Sequence, residues 1–191
     1  MKTTTLRLVM VLLSAGLLES AAHAAGKTVT IKGSDTMVIL GQRWAEEYMK
    51  THPGAVIQVT GGGSGTGIAA LINGSTDIAE ASRPMKPAEK ASVKEKRGKE
   101  VEEVPVAQDG LALYVHQSNP LKTINLAQAK AIYIGEMTQW DALGVKLGQI
   151  IAYGRENNSG TYAYFKEHVL GTQDFAPEGL SLPGTAAVIN A

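Results

Sequence analysis

From residue 28 onward the chain alternates between two hydrophobic rhythms. Residues 28–32 run in β-branched side chains at period two and read as a short strand, closed by Gly33. Behind it Met37, Leu40, Trp44 and Tyr48 recur at helical spacing, with Gln42, Arg43, Glu46 and Glu47 mostly off that stripe. Ser34, Asp35 and Thr36 stand where an N-cap belongs, and Pro53-Gly54 ends this helix by His52. A second strand over 55–60 runs into the glycine cluster of residues 61–67, and 68–72 reads as helical. The rhythm repeats with a strand over 77–82, a turn over 83–87 and a charged helix over 88–99. Residues 101–117 are β-rich, with 111–115 the clearest strand and a crossover between lobes. Asn125 caps a helix to Ile134, residues 150–154 form a buried-type strand, and Tyr162, Phe165 and Val169 lie on the helix after it. The stretch 171–191 is mixed, with Pro177, Pro183 and Gly184 as breakers before a short apolar helix. Strands alternating with helices predict an α/β architecture.

Three of the strand-to-helix turns share a chemistry. They are residues 33–36, 61–67 and 157–161, each rich in Gly, Ser or Thr. A helix N-terminus carries unpaired N–H groups and partial positive charge, which suits an anion. Ser and Thr hydroxyls add short donors, and Arg155, four residues before Ser159, brings a planar fork for anion oxygens. In α/β folds such turns gather at the carboxyl ends of the strands. One turn of this kind is an ordinary capped connection. Three with an arginine nearby bring an oxyanion site level with that plainer reading, in which Arg83 and Arg155 form surface ion pairs and Asp35 is only a cap.

The motifs exclude several enzyme classes. Residues 62–67 have the glycine spacing of a phosphate-binding P-loop, but Ile68-Ala69 stands where Lys-Ser/Thr is required. Thr66 stands where a nucleophile elbow needs Gly, and Ser64 has no His partner in the pattern. Many donors without an activated nucleophile point to binding without turnover. The remaining enzyme alternative is a secreted phosphatase or other hydrolase using Ser64 or Ser159.

Composition narrows the picture further. Lys+Arg and Asp+Glu are 18 each among 191 residues, so no basic excess exists to neutralise nucleic-acid phosphates. Cysteine is absent, which removes disulfides and thiolate chemistry, and His52, His116 and His168 lack metal-ligand spacing. No cofactor is expected. Residues 1–24 follow the order of a secretory signal peptide: Lys2 and Arg7, an apolar run over 8–18, then Ala22-His23-Ala24. That run is shorter than a membrane span. The expectation is an exported, nearly neutral chain without a membrane span.

Residues 33–37, 60–67, 77–83 and 134–141, with Arg155-Glu156-Asn157-Asn158-Ser159-Gly160-Thr161, resemble the periplasmic phosphate-binding proteins that feed ABC importers. The resemblance covers most of the mature chain in order, and Arg-x-x-x-Ser-Gly-Thr is its most specific piece. It implies a two-lobed fold of periplasmic-binding-protein type II, with residues 25–110 in the first lobe, 111–191 in the second and a hinge near 108–115. It also implies a monomer that captures inorganic phosphate and passes it to a membrane permease. Carried over by position, Ser34, Asp35 and Thr36, then Gly63, Ser64 and Gly65, then Ser82 and Arg83, become the contacts of the first lobe. Arg155, Ser159, Gly160 and Thr161 become those of the second. Some members carry an Asp where Arg83 stands, accepting the phosphate proton and rejecting sulfate; other branches have Ser-Arg, and Asp35 is the nearest substitute acceptor. Members are longer, so returning strands are expected after Ala191 and the chain reads as a fragment. The rival ligands are other oxyanions such as sulfate, molybdate or a phosphonate. An adhesion or signalling protein on the same scaffold is a further alternative.

Overall fold

Parallel strands need a crossover between them, and the alternating β and α segments supply one each time. The computed structural model describes residues 28–191, so the expected leader lies outside the described residues. β1 (Thr28–Gly33), α1 (Val38–Thr51), β2 (Val56–Thr60), α2 (Ser64–Asn73), β3 (Ile78–Glu80) and α3 (Pro87–Arg97) form the first unit. Its three strands are parallel in the order β2-β1-β3. The register pairs Lys32 with Thr60 and Gly33 with Glu80. All three strands therefore end side by side, and the turns that follow them share one edge of the sheet.

Ile68, Met85 and Val93 form the buried centre of this unit, with Ile72, Ala81 and Val101 packed on it. α3 opens with Pro87 at its start, where a missing N–H costs nothing, and Glu89 reaches back to accept the Lys86 N–H at 2.7 Å.

The second unit holds α4 (Leu126–Tyr133), a 3-10 turn (Trp140–Leu143), β4 (Tyr153–Arg155), α5 (Gly160–Phe165), β5 (Leu180–Leu182) and α6 (Gly184–Asn190). α5 runs directly into a π turn, Lys166–Leu170. Asn125 caps α4, as the sequence predicts, and Gln128 returns the bond to the Asn125 N–H. β4 and β5 are parallel, with Arg155 opposite Leu182. Beside them Tyr133, Tyr162, Phe165 and Phe175 form an aromatic cluster, in which Tyr162 stacks on Phe175 at 4.6 Å between ring centroids. The Tyr133 hydroxyl donates to the Tyr153 carbonyl at 2.9 Å, which ties that cluster to β4.

Three sequence expectations are corrected. The stripe of Leu40, Trp44 and Tyr48 on α1 is exposed, while Gly41 and Ala45 are buried. Small residues let the helix approach β3 closely, and the Glu80 carboxylate occupies the space that a Cβ at Gly41 would need. Residues 101–117 form no strand. A strand exists through its ladder, and Val104, Val106, Leu111, Leu113, Tyr114 and Val115 lie exposed without one. The strand expected over 150–154 is shorter and later, at 153–155, because only those residues pair with β5.

Glu80 carries the least compatible charge in this unit. The residue is 7% exposed, its Oε2 is buried without a hydrogen-bond partner, and burial pushes the carboxyl above the usual glutamate range. The folded state thus favours the protonated form. Its stabilising share is complete below the ordinary glutamate pKa and is lost as pH rises through the raised value in the fold. Glu80→Gln keeps the shape and removes the ionisation. Thermal melts at neutral pH should place this variant above the parent, by about 2–4 °C for each kcal/mol relieved, and the gap should close as pH falls below the ordinary glutamate range. A gap that is constant with pH would show that ionisation of Glu80 is not the cause.

Candidate functional site

Because β1, β2 and β3 end in register, the hydroxyls that follow them meet. Ser34 Oγ lies 2.7 Å from Thr36 Oγ1 and donates to Ser82 Oγ at 3.1 Å. Ser64 Oγ, at the first position of α2, lies 3.2 Å from Ser82 Oγ and accepts the Ser82 N–H at 3.0 Å. Ser34 is 2% exposed and Ser64 is fully buried. Four hydroxyls from three successive turns therefore form one network, buried at Ser34 and Ser64, half-buried at Ser82 and open to solvent at Thr36, each oxygen able to donate or accept.

The second unit closes against this network. A Cβ on Gly160 would stand 2.2 Å from Ser82 Oγ and 2.6 Å from Ser64 Oγ, so only glycine permits the approach. Asn158 stitches the turns together: its carbonyl accepts the Gly65 N–H at 2.8 Å, and its Nδ2 donates to the Gly62 carbonyl at 3.0 Å and to Thr66 Oγ1 at 3.1 Å. The turns after β1, β2, β3 and β4 thus share one locus.

Arg155, at the end of β4, borders it. The side chain is 6% exposed. One guanidinium nitrogen donates to Thr185 Oγ1 at 2.9 Å and another to Asp35 Oδ2 at 2.6 Å, while Nε is buried without a partner. Asp35 Oδ1 accepts the Gly62 N–H at 2.8 Å. Asp35 is therefore not a helix cap; both of its oxygens hold neighbouring turns. On its far side Arg155 lines a cavity of about 380 Å³ together with Asn157, Tyr162 and Phe175.

The remaining expected residues are sorted differently. Arg83 is turned to Glu89, its two terminal nitrogens meeting both carboxylate oxygens at 2.9 and 2.8 Å, and it also donates to the Pro84 carbonyl. The pairing holds the Glu89 carboxyl below its usual range and raises the guanidinium. This fork braces the start of α3, beside the Ser82 hydroxyl. Ser159 is the N-cap of α5, its Oγ accepting the N–H groups of Thr161 at 3.1 Å and Tyr162 at 3.4 Å, so it enters the site through the turn geometry it imposes. The Gly65 N–H is spent on Asn158, and Gly63 abuts the same carbonyl.

Sequence reasoning missed Thr185, Asn158 and Glu89 as supporting residues. Thr185 lies 30 positions from Arg155, a juxtaposition made only by the β4–β5 pairing. Asn158 stood inside the recognised stretch, and its two-sided amide was the available signal.

Residues 19–189 match the model of the PBP superfamily domain. The phosphate-binding protein PstS of Pseudomonas aeruginosa is 35% identical over 183 residues, covering 90% of this chain and 56% of that protein. The protein of the same description from Staphylococcus haemolyticus is 33% identical over 150 residues, covering 77% of this chain and 47% of its own. Among solved structures, a phosphate ABC transporter substrate-binding protein of Clostridium perfringens with bound phosphate superposes with a TM-score of 0.77 at 31% identity, over 86% of this chain and 65% of that one. An ABC-type phosphate transport receptor from Vibrio cholerae superposes with a TM-score of 0.59 at 29% identity, over 84% and 64%. The chain spans about half the length of the curated relatives it matches.

The Gly160 contact generates a specific expectation. Gly160→Ala should leave each unit folded and push the α5 turn off the serine network, since the obstacle is two buried side-chain oxygens. Exchange of the buried hydroxyl and amide protons around Ser64 and Ser82, followed by NMR, should accelerate at least tenfold relative to the parent. Unchanged protection would show that the two units do not meet there.

Proposed function

We propose that this chain, which belongs to the PBP superfamily, binds inorganic phosphate between its two α/β units and delivers it to an ABC importer after export to the periplasm. One observation carries the reading: turns from four strand ends converge on a hydroxyl network anchored by the buried Ser34 and Ser64 and bordered by a buried guanidinium. The relatives described as phosphate-binding and the neighbour solved with bound phosphate support the choice of anion. In this reading residues 25–110 and 111–191 act as two lobes, and the exposed stretch near 108–115 lies at the hinge.

The contact set is Ser34, Thr36, Ser64 and Ser82 through their hydroxyls and Arg155 through its guanidinium, with Gly160 and Thr161 closing the α5 side. Arg83 is left out because Glu89 occupies its fork. An arriving anion separates the serine hydroxyls from one another and takes each as a donor. Micromolar affinity requires about −8 kcal/mol. Hydrogen bonds to a charged partner contribute roughly 1.5–3 kcal/mol each, so four or five suffice after the cost of desolvating the anion.

The surroundings of the serines support binding without turnover. A nucleophilic serine needs a base within hydrogen-bond reach. Ser64 Oγ has Ser82 as its partner, and Ser159 Oγ is held by two amides. The histidines among the described residues lie elsewhere: His52 is bonded to Thr51 and the Tyr48 carbonyl, His116 to Ser118, and His168 packs on Tyr164.

Calorimetry of the purified chain against phosphate, arsenate and sulfate tests this reading. Phosphate and arsenate should bind, while Arg155→Ala should lower phosphate affinity by more than tenfold. Equal affinity in that variant would remove Arg155 from the site; heat with sulfate alone would reassign the ligand.

A further inference from the structure

We infer that Asp35 is an interlobe latch: its ion pair with Arg155 holds the two units closed and fixes the orientation in which the guanidinium meets the anion. The inference rests on the proposed function only for the identity of that anion; the latch itself stands on contacts within the chain.

Three observations carry it. The first is commitment: Asp35 Oδ1 takes the Gly62 N–H at 2.8 Å and Oδ2 takes the Arg155 guanidinium at 2.6 Å, so the carboxylate is spent on protein donors. The second is position. Asp35 follows β1 in the first unit and Arg155 ends β4 in the second, whereas the other ion pairs between described residues join groups of one unit. Both side chains are largely buried, at 18% and 6% exposure, so solvent and salt screen the attraction little. The third is closure of a circuit. Asp35 holds Gly62, the Gly62 carbonyl holds Asn158 Nδ2, and the chain returns from Asn158 to Arg155 three residues earlier. This circuit crosses the interface twice, once by charge and once by a neutral amide.

The circuit also sets the direction of Arg155. With Thr185 on one terminal nitrogen and Asp35 on the other, the planar fork cannot turn about its long axis. Loss of Asp35 leaves a buried guanidinium tethered only through Thr185 within its own unit. The units then separate to rehydrate the charge, because an unpaired buried ion costs more than the contacts that confine it.

The absence of cysteine makes a distance measurement straightforward. Glu95→Cys on α3 and Lys146→Cys in the second unit, both at exposed positions, take one spin label each. With phosphate at saturating concentration, the parent should give one short population by double electron–electron resonance. Asp35→Asn, which keeps the shape and removes the charge, should add a longer population, and so should Arg155→Met. Combining the two should add no more opening than either alone, an outcome that a merely structural loss at each site would not produce. Circular dichroism melts identify a variant that fails to fold, and the other single variant then carries the comparison. A distribution for Asp35→Asn that superimposes on the parent's overturns the latch, as does additive opening in the double variant. A phosphate titration of the parent separates the two claims. A parent that binds no phosphate but opens on Asp35→Asn removes the functional reading and upholds the latch; one that binds phosphate and does not open removes the latch alone.

Discussion

A guanidinium taken out of water must be neutralised where it lies, and in this chain that requirement joins two sheets. Arg155 ends β4 with its side chain buried, and its carboxylate partner comes from the turn after β1. The rest of the interface follows from that pairing. Asp35 also fixes the glycine turn through Gly62, and Gly62 receives Asn158 from the loop that follows Arg155. Gly160 is thereby delivered onto Ser64 and Ser82.

The serine network is the complementary half. Buried polar groups have to be satisfied, and hydroxyls can satisfy one another because each both donates and accepts. Ser34, Thr36, Ser64 and Ser82 do so at 2.7–3.2 Å. An oxyanion that enters such a cluster meets donors already gathered and oriented, so it reorients protons more than it moves atoms. The register of three parallel strands makes this gathering possible. A shift of one residue along β3 would turn Ser82 to the opposite face.

Much of this was legible in the residues. The strand-turn-helix rhythm and the Asn125 cap are local, and local chemistry determines them. The turns at 33–36, 61–67 and 157–161 raised an anion site only to equal standing with ordinary capped connections, and their convergence follows once the strands are parallel. What stayed hidden is long-range. Arg83 and Arg155 look equivalent as sequence, yet Glu89 at the start of α3 takes the first and Asp35 takes the second. The face that α1 buries was misleading for a related reason: close approach to the sheet selects Gly41 and Ala45 over the larger Leu40 and Trp44. The β-rich stretch 101–117 has strand-forming residues and no ladder, which no periodicity can reveal.

The central claim is spatial: separate turns surround one anion. Arsenate has the shape and proton chemistry of phosphate, and its arsenic atom scatters anomalously. Anomalous diffraction from crystals of the chain grown with arsenate therefore locates the ligand directly. The account predicts one strong peak within hydrogen-bonding reach of the Ser34, Ser64 and Ser82 hydroxyls and the Arg155 guanidinium. A peak in the cavity beside Tyr162 and Phe175, or anywhere else away from those serines, would contradict it.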